Sequence, residues 1–153
     1  MNLETSVYVQ RTPEAVWAYL SDISNVAKWD RGVARVQQTS RTSPGVGLEF
    51  DTLAYSGPLD NEGNRGKMSY RISEADPARG CTVQLTSSDG NARFFKTAEW
   101  RFRVEPSDGG STVYCIAHFK LRFPYIVLSP VFYAMKKAIH SDLVKLKQVL
   151  EDS

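Results

Sequence analysis

Two cysteines and two histidines are all that 153 residues offer to a metal or a disulfide framework. Cys81 and Cys115 stand without a CxxC partner or a neighbouring histidine, so neither zinc binding nor a disulfide scaffold is indicated. Each falls in a segment that reads as strand, where a thiol acts as a small buried hydrophobe. Charge of one sign is also scarce. The net charge is +2, and no run of Lys and Arg forms a tract suited to nucleic acid. The longest apolar run, Phe123 to Met135, is broken by Pro124, Ser129 and Pro130, and falls short of the ~20 residues a membrane span needs. Met1 to Gln10 carries Glu4 and no apolar core, unlike a secretory signal. No GxGxxG or P-loop pattern is present, so nucleotide cofactors have no visible site. Internal repeats, low-complexity tracts and linkers are absent too. The expectation is a cytoplasmic chain without cofactor, metal, nucleic-acid partner or transmembrane segment, with self-association as a homodimer left open.

The composition that remains, 42% apolar and 24% charged, is that of a globular protein. Its length suits one domain over residues 1–153, able to bury roughly 70% of the surface of the unfolded chain. Leu3, Thr5, Val7 and Val9 alternate with polar neighbours, the period of a half-buried strand. Thr12 can cap a helix with Pro13 in its first turn, and Val16, Tyr19, Leu20 and Ile23 follow at helical spacing. Asp22 or Ser24 restarts the chain as a second short helix ending near Trp29. Six strands are then expected, near Val33–Thr39, Val46–Tyr55, Gly66–Ser73, Thr82–Ser87, Ala92–Val104 and Thr112–Phe123. Turns rich in Gly, Pro, Asn and Asp separate them, among them Ser88–Asn91, and such short connections imply antiparallel pairing. The last element is a helix of about 22 residues, ~33 Å long, with Ser129 as its cap and Pro130 in its first turn. Phe132, Met135, Ile139, Leu143, Leu146 and Leu150 form its apolar stripe, while Lys136, Lys137, Lys145 and Lys147 stand largely off it.

The fold class expected is therefore α+β, a curved seven-stranded antiparallel sheet around a long C-terminal helix. The sheet's apolar face must be covered, and the stripe of the last helix is its one large partner. In the sixth strand Phe94, Lys96, Ala98, Trp100, Phe102 and Val104 share the inner parity. In the seventh, Val113, Cys115, Ala117, Phe119 and Leu121 do. A curved sheet cannot close on a helix along its whole length, so a pocket lined by aromatics and Met is expected between them.

Several segments resemble a known family: Thr12-Pro13-Glu14-Ala15-Val16-Trp17-Ala18-Tyr19-Leu20-Ser21-Asp22, Trp29 with Val33–Val36, Gly45-Val46-Gly47-Leu48-Glu49-Phe50, Glu74-Ala75-Asp76-Pro77-Ala78-Arg79, and the Trp100–Pro106 strand with its Gly109-Gly110 hairpin. They are similar to the polyketide cyclase/dehydrase group of the START/Bet v 1-like (SRPBCC, helix-grip) superfamily. The resemblance implies the helix-grip fold and an internal cavity. It does not choose between ligand binding and catalysis, because fold alone does not decide function.

Trp29, Phe50, Met68, Tyr70, Trp100, Phe119, Tyr133, Met135 and Ile139 are the candidate ligand-binding residues. Arg71, Tyr70 and Lys96 are the candidate catalytic ones. The alternation of Met68, Tyr70 and Ile72 turns Arg71 outward, whereas the family's cyclases imply an inward arginine in a context similar to Ser69-Tyr70-Arg71-Ile72, able to hold an enolate oxygen. His118 and His140 have no serine, cysteine or carboxylate arranged around them for nucleophilic catalysis. Three functions stay open. The first is binding of a hydrophobic small molecule (a lipid, isoprenoid or polycyclic polyketide) in the cavity. The second is a cyclase or dehydratase that works by orientation and polar contacts. The third is a partner- or membrane-interaction module that uses Tyr125–Leu128. Inward polar groups favour the enzyme and a uniformly apolar pocket favours the carrier.

Overall fold

The computed structural model of the chain describes residues 1–87 and 93–153. The turn expected at Ser88–Asn91, and Ala92 at the start of the sixth expected strand, lie outside the described residues. Strand β1 (Asn2–Val9) leads into helix α1 (Pro13–Leu20). That helix starts as its sequence dictates: Thr12 Oγ1 accepts the Ala15 amide at 3.2 Å, and Pro13 occupies the first turn, where no amide donor is missed. Asp22 next accepts the Ser24 amide at 2.9 Å, nucleating a 3₁₀ turn at Ile23–Asn25 that runs into α2 (Val26–Trp29). Six strands follow: β2 (Val33–Gln38), β3 (Glu49–Ala54), β4 (Met68–Asp76), β5 (Gly80–Leu85), β6 (Phe95–Ser107) and β7 (Gly110–Leu121). A 3₁₀ turn at Tyr125–Leu128 and the short α3 (Ser129–Tyr133) precede α4 (Met135–Glu151).

All seven strands join one antiparallel sheet in the order β1-β7-β6-β5-β4-β3-β2. Strands adjacent in sequence across α1 and α2 thus end at opposite edges. The helices carry the chain between those edges, α1 packing on β6 and β7 and α2 on α4. This is the α+β helix-grip architecture expected from the sequence.

Two expectations need correction. The last helix is not continuous from Ser129. The hydroxyl of Ser129 donates to the Ile126 carbonyl at 2.6 Å instead of capping. At Ala134 the backbone bonds tighten to three-residue spacing (Ala134 N to Val131 O, Lys137 N to Ala134 O, both 3.2 Å), which separates α3 from α4. In β6 the inner parity breaks at Lys96. Phe95 pairs with Leu121 and Thr97 with Lys120, so two residues of β6 oppose one of β7 at a bulge. Phe95 therefore turns inward, 5% exposed, and Lys96 is expelled to solvent.

The core gathers in three groups. Val9, Val16, Val113 and Cys115 meet Leu143, Leu146 and Leu150 of α4. Leu3, Phe95, Ala98, Ala117 and Phe119 meet Phe132 and Met135. Leu48, Phe50, Ile72 and Cys81 pack at the β3–β5 side of the sheet. Along α4 the packing loosens toward the N-terminus: Leu143 and Leu146 are fully buried, whereas Met135 and Ile139 keep open surface. That open surface faces a cavity.

Candidate functional site

The cavity, about 360 Å³ in volume, lies where the three core groups fail to meet. Its sheet wall comes from alternate residues of neighbouring strands. Phe50 pairs with Tyr70 and Thr52 with Met68, so these four share one face of β3 and β4. Val83, Trp100, Phe102 and Cys115 extend the wall across β5, β6 and β7. The rings interlock: Phe50 stacks on Tyr70 at 5.5 Å, Tyr70 meets Trp100 edge-on at 5.6 Å, and Phe102 meets Trp29 edge-on at 5.7 Å. Tyr70, Trp100 and Phe102 sit mid-sheet yet are only half-buried, because the surface they keep is the cavity's own. Met135, Ala138, Ile139, Asp142 and Leu143 of α4 form the opposite wall, and Val26, Trp29, Asp30 and Gly32 close one side.

Asp30 and Asp142 are the charged residues of this lining, and no Lys or Arg joins them there. Asp30 Oδ1 accepts the Gly32 amide at 2.9 Å, and Asp142 Oδ1 accepts the Arg31 amide at 3.2 Å. One turn of chain after α2 thus ties both carboxylates to the same place. Burial raises the Asp30 carboxyl above its ordinary value despite the amides of Gly32 and Val33. Asp142 is pushed up to about 6, first by burial and then by the neighbouring charge of Asp30, against the partial relief of Arg31. Two carboxylates in an apolar setting disfavour each other's ionisation. Burial, with the charge of Asp30, also raises the Tyr70 phenol, which donates to the Met68 sulfur at 3.5 Å. The Cys115 thiol rises to about 12 through burial and the charges of Asp142 and Asp30, so it is not a nucleophile. The indole Nε1 of Trp29 is buried with no hydrogen-bond partner among the described residues. Chemically, the arrangement is an aromatic chamber with an acidic end that can accept hydrogen bonds or exchange a proton near neutral pH.

Of the nine ligand-binding candidates, Trp29, Phe50, Met68, Tyr70, Trp100, Met135 and Ile139 border the cavity. Phe119 does not. It is 2% exposed in the core group beside Phe95 and Phe132, with ring centroids 5.6 and 5.9 Å away. Tyr133 does not either, because α3 leaves it 54% exposed on the outer side. Arg71 stands on the outer face, with Nε 2.9 Å from Glu49 Oε1 directly across the β3–β4 pair, and cannot reach a ligand. The bulge places Lys96 outside as well. It borders a larger, open depression of about 600 Å³ on the outer face, with Gln84, Glu99, His118 and Lys120. The walls of that depression are more polar than apolar, whereas those of the smaller cavity are mostly apolar, which makes the smaller cavity the better ligand site. Asp30, Asp142 and Thr52 were missed. The one signal available was the spacing of Asp142, three residues after Ile139 and four before Leu146, which puts a carboxylate on the apolar stripe. Among the described residues no three His, Cys, Asp or Glu side chains converge as a metal site.

A curved sheet gripping α4 around an aromatic cavity defines a helix-grip protein. The chain belongs to the polyketide cyclase / dehydrase and lipid transport family, whose model matches residues 1–151. Solved structures agree on the fold. The Zhui aromatase/cyclase from Streptomyces sp. R1128 superimposes with a TM-score of 0.77 at 16% identity, covering 99% of this chain and 93% of that one. The structure of Ara h 8.0201 gives 0.73 at 11% identity over 100% and 99% of the two chains. TTHA0849 from Thermus thermophilus gives 0.73 at 16% identity over 98% and 97%. No curated protein matches the sequence significantly.

Proposed function

We propose that the chain works as a single domain that binds a largely apolar, ring-containing small molecule beneath α4, with a hydroxyl or amino group of the ligand held at the Asp30–Asp142 end. The observation that carries this reading is the lining itself: aromatic walls with Asp30 and Asp142 as their charged groups. A volume of about 360 Å³ lies within the usual range for small-molecule sites. The two free, buried cysteines suit a reducing, cytoplasmic compartment, and no helix among the described residues is long and apolar enough to cross a membrane. Titration with aminoanthracene, an aromatic amine, tests the reading. Entry of the probe should quench Trp100 and, through the same cavity, Trp29, so Trp100→Phe should reduce the response and Trp29→Phe with Trp100→Phe should remove most of it. Quenching unchanged in the double variant would place the probe elsewhere and defeat the proposal.

A second reading is supported by one further observation. A carboxyl with a pKa of about 6 is poised for proton transfer at neutral pH, as a cyclase or dehydratase step requires. Asp142 would take the proton from a methylene between two carbonyls of the bound ligand, with Tyr70 beside the resulting enolate. Protein-catalysed deuterium exchange at the central methylene of an aromatic diketone, followed by NMR, measures this. The exchange should disappear in Asp142→Asn while aminoanthracene still binds. Exchange in the wild type no faster than in buffer leaves binding alone as the function, and exchange that persists in the variant removes Asp142 as the base.

A further inference from the structure

Large apolar side chains are ordinarily covered, and a contiguous group left in water marks a contact surface. Between β7 and α4, Phe123 is 87% exposed, Val127 78%, Val131 66% and Ile126 56%. The segment is held in place from its other side. Tyr125 packs edge-on against Phe94 at 5.0 Å, and Phe132 packs against Phe95 at 5.6 Å. Alternate side chains thus anchor the segment and the rest are displayed outward.

The charges that this stretch of chain carries have one sign. From Gly109 to Ser141 the sequence contains no Asp or Glu, while Lys120, Arg122, Lys136 and Lys137 bracket the apolar residues. Lys120, Lys136 and Lys137 are exposed. Arg122, whose Nε donates to the Phe95 carbonyl at 3.1 Å, adds to the field without being free to move. Arg93, exposed over the Phe94 ring at 5.2 Å, adds one more cation beside Tyr125.

We propose that the Phe123–Val131 face docks the protein on an anionic lipid surface, with Phe123, Ile126, Val127 and Val131 entering the interfacial layer and Lys120, Lys136 and Lys137 meeting the phosphates. Apolar side chains ringed by cations are the chemistry of interfacial anchoring. A second copy of the chain fits poorly, because a symmetric interface would press the same cations together with no carboxylate between them. The docked face lies next to the cavity. Val131 precedes Met135, which borders the cavity, by four positions. The proposal stands on this surface and does not depend on what the cavity holds.

The test is flotation of the full chain with vesicles of phosphatidylcholine alone and of equal parts phosphatidylcholine and phosphatidylglycerol. Binding is expected to the anionic vesicles, weakening as salt is raised. Neutralising Lys136 and Lys137 together should weaken it about 25-fold, at about fivefold per lysine. Ile126→Glu with Val127→Glu should abolish it. Both positions are exposed, so that double variant should keep its melting temperature and its affinity for aminoanthracene, which separates loss of docking from loss of the fold or the cavity. Wild-type protein that stays unbound with anionic vesicles overturns the proposal, as does undiminished binding by the double variant. A dimer in light scattering that the double variant dissolves assigns the face to a second copy and overturns it equally.

Discussion

Replacing Asp142 by Asn should stabilise the protein at neutral pH and leave it unchanged in acid. The carboxyl rises from an ordinary 3.8 to about 6 in the folded chain. Its folded value lies above its unfolded one, so the bound proton contributes stability that is full below about pH 4 and is lost as pH climbs through about 6. Above that range the native state carries a charge facing both an apolar cavity and the charge of Asp30. At ~1.4 kcal/mol per tenfold change in proton affinity, the cost in a dry site is ~3 kcal/mol. Asp142 is only half-buried, and solvent screening reduces this to about 1–2 kcal/mol. Asparagine keeps a carbonyl oxygen for the Arg31 amide and carries no charge. Urea melts of both proteins from pH 4 to pH 8 should therefore converge at the acid end and separate by about 1–2 kcal/mol at the other, with the variant more stable. An advantage for the variant that is equal at both ends, or a wild type that gains on the variant as pH rises, refutes the electrostatic argument.

Leu146→Ala, at a fully buried position away from the cavity, should cost about 3–5 kcal/mol, whereas Ile139→Ala should cost about 1–2 kcal/mol and admit bulkier aromatic probes, because its side chain already borders open space. Equal losses in urea melts would mean that the cavity wall packs as tightly as the core. Gly80→Ala should cost about 3 kcal/mol or more, since φ is +122° there and an added Cβ would lie 2.2 Å from the Phe102 carbonyl oxygen. A thermal melt within a degree or two of wild type would contradict that strain.

What was legible in the sequence was periodic. Strand alternation in β7, from Val113 to Leu121, survives in the structure residue for residue, because no bulge falls within Val113–Phe119 and each inward side chain of that run is buried. The cap at Thr12 was readable for a similar reason, since its chemistry is complete within four residues. Parity failed where the backbone gains or loses a residue. Alternation carries no mark of a bulge, and one extra residue at Lys96 was enough to exchange it with Phe95. The broken last helix eluded the same reading, because the apolar stripe runs on through Ala134 although the hydrogen bonds do not.

The acidic end of the cavity was beyond any local reading, and the reason bears on function. Asp30 follows α2 in a short connection, where an aspartate ordinarily meets water and caps a turn, and it does accept the Gly32 amide there. Asp142 lies 112 positions later (142 − 30), on a helix with many other charges. Each residue alone has a routine local role, and only the return of α4 across α2 sets them at one cavity. Apart, both would ionise near 4 and neither would matter to a ligand. Brought together under apolar walls, both carboxyls rise, Asp30 through burial and Asp142 through burial and the charge of Asp30, so their ionised forms cost stability. Packing does not require such an arrangement, since Asn at either position could accept the same backbone amide without the charge. Under the binding proposed above, the polar group of a ligand would compensate the cost of placing this pair on a largely apolar lining.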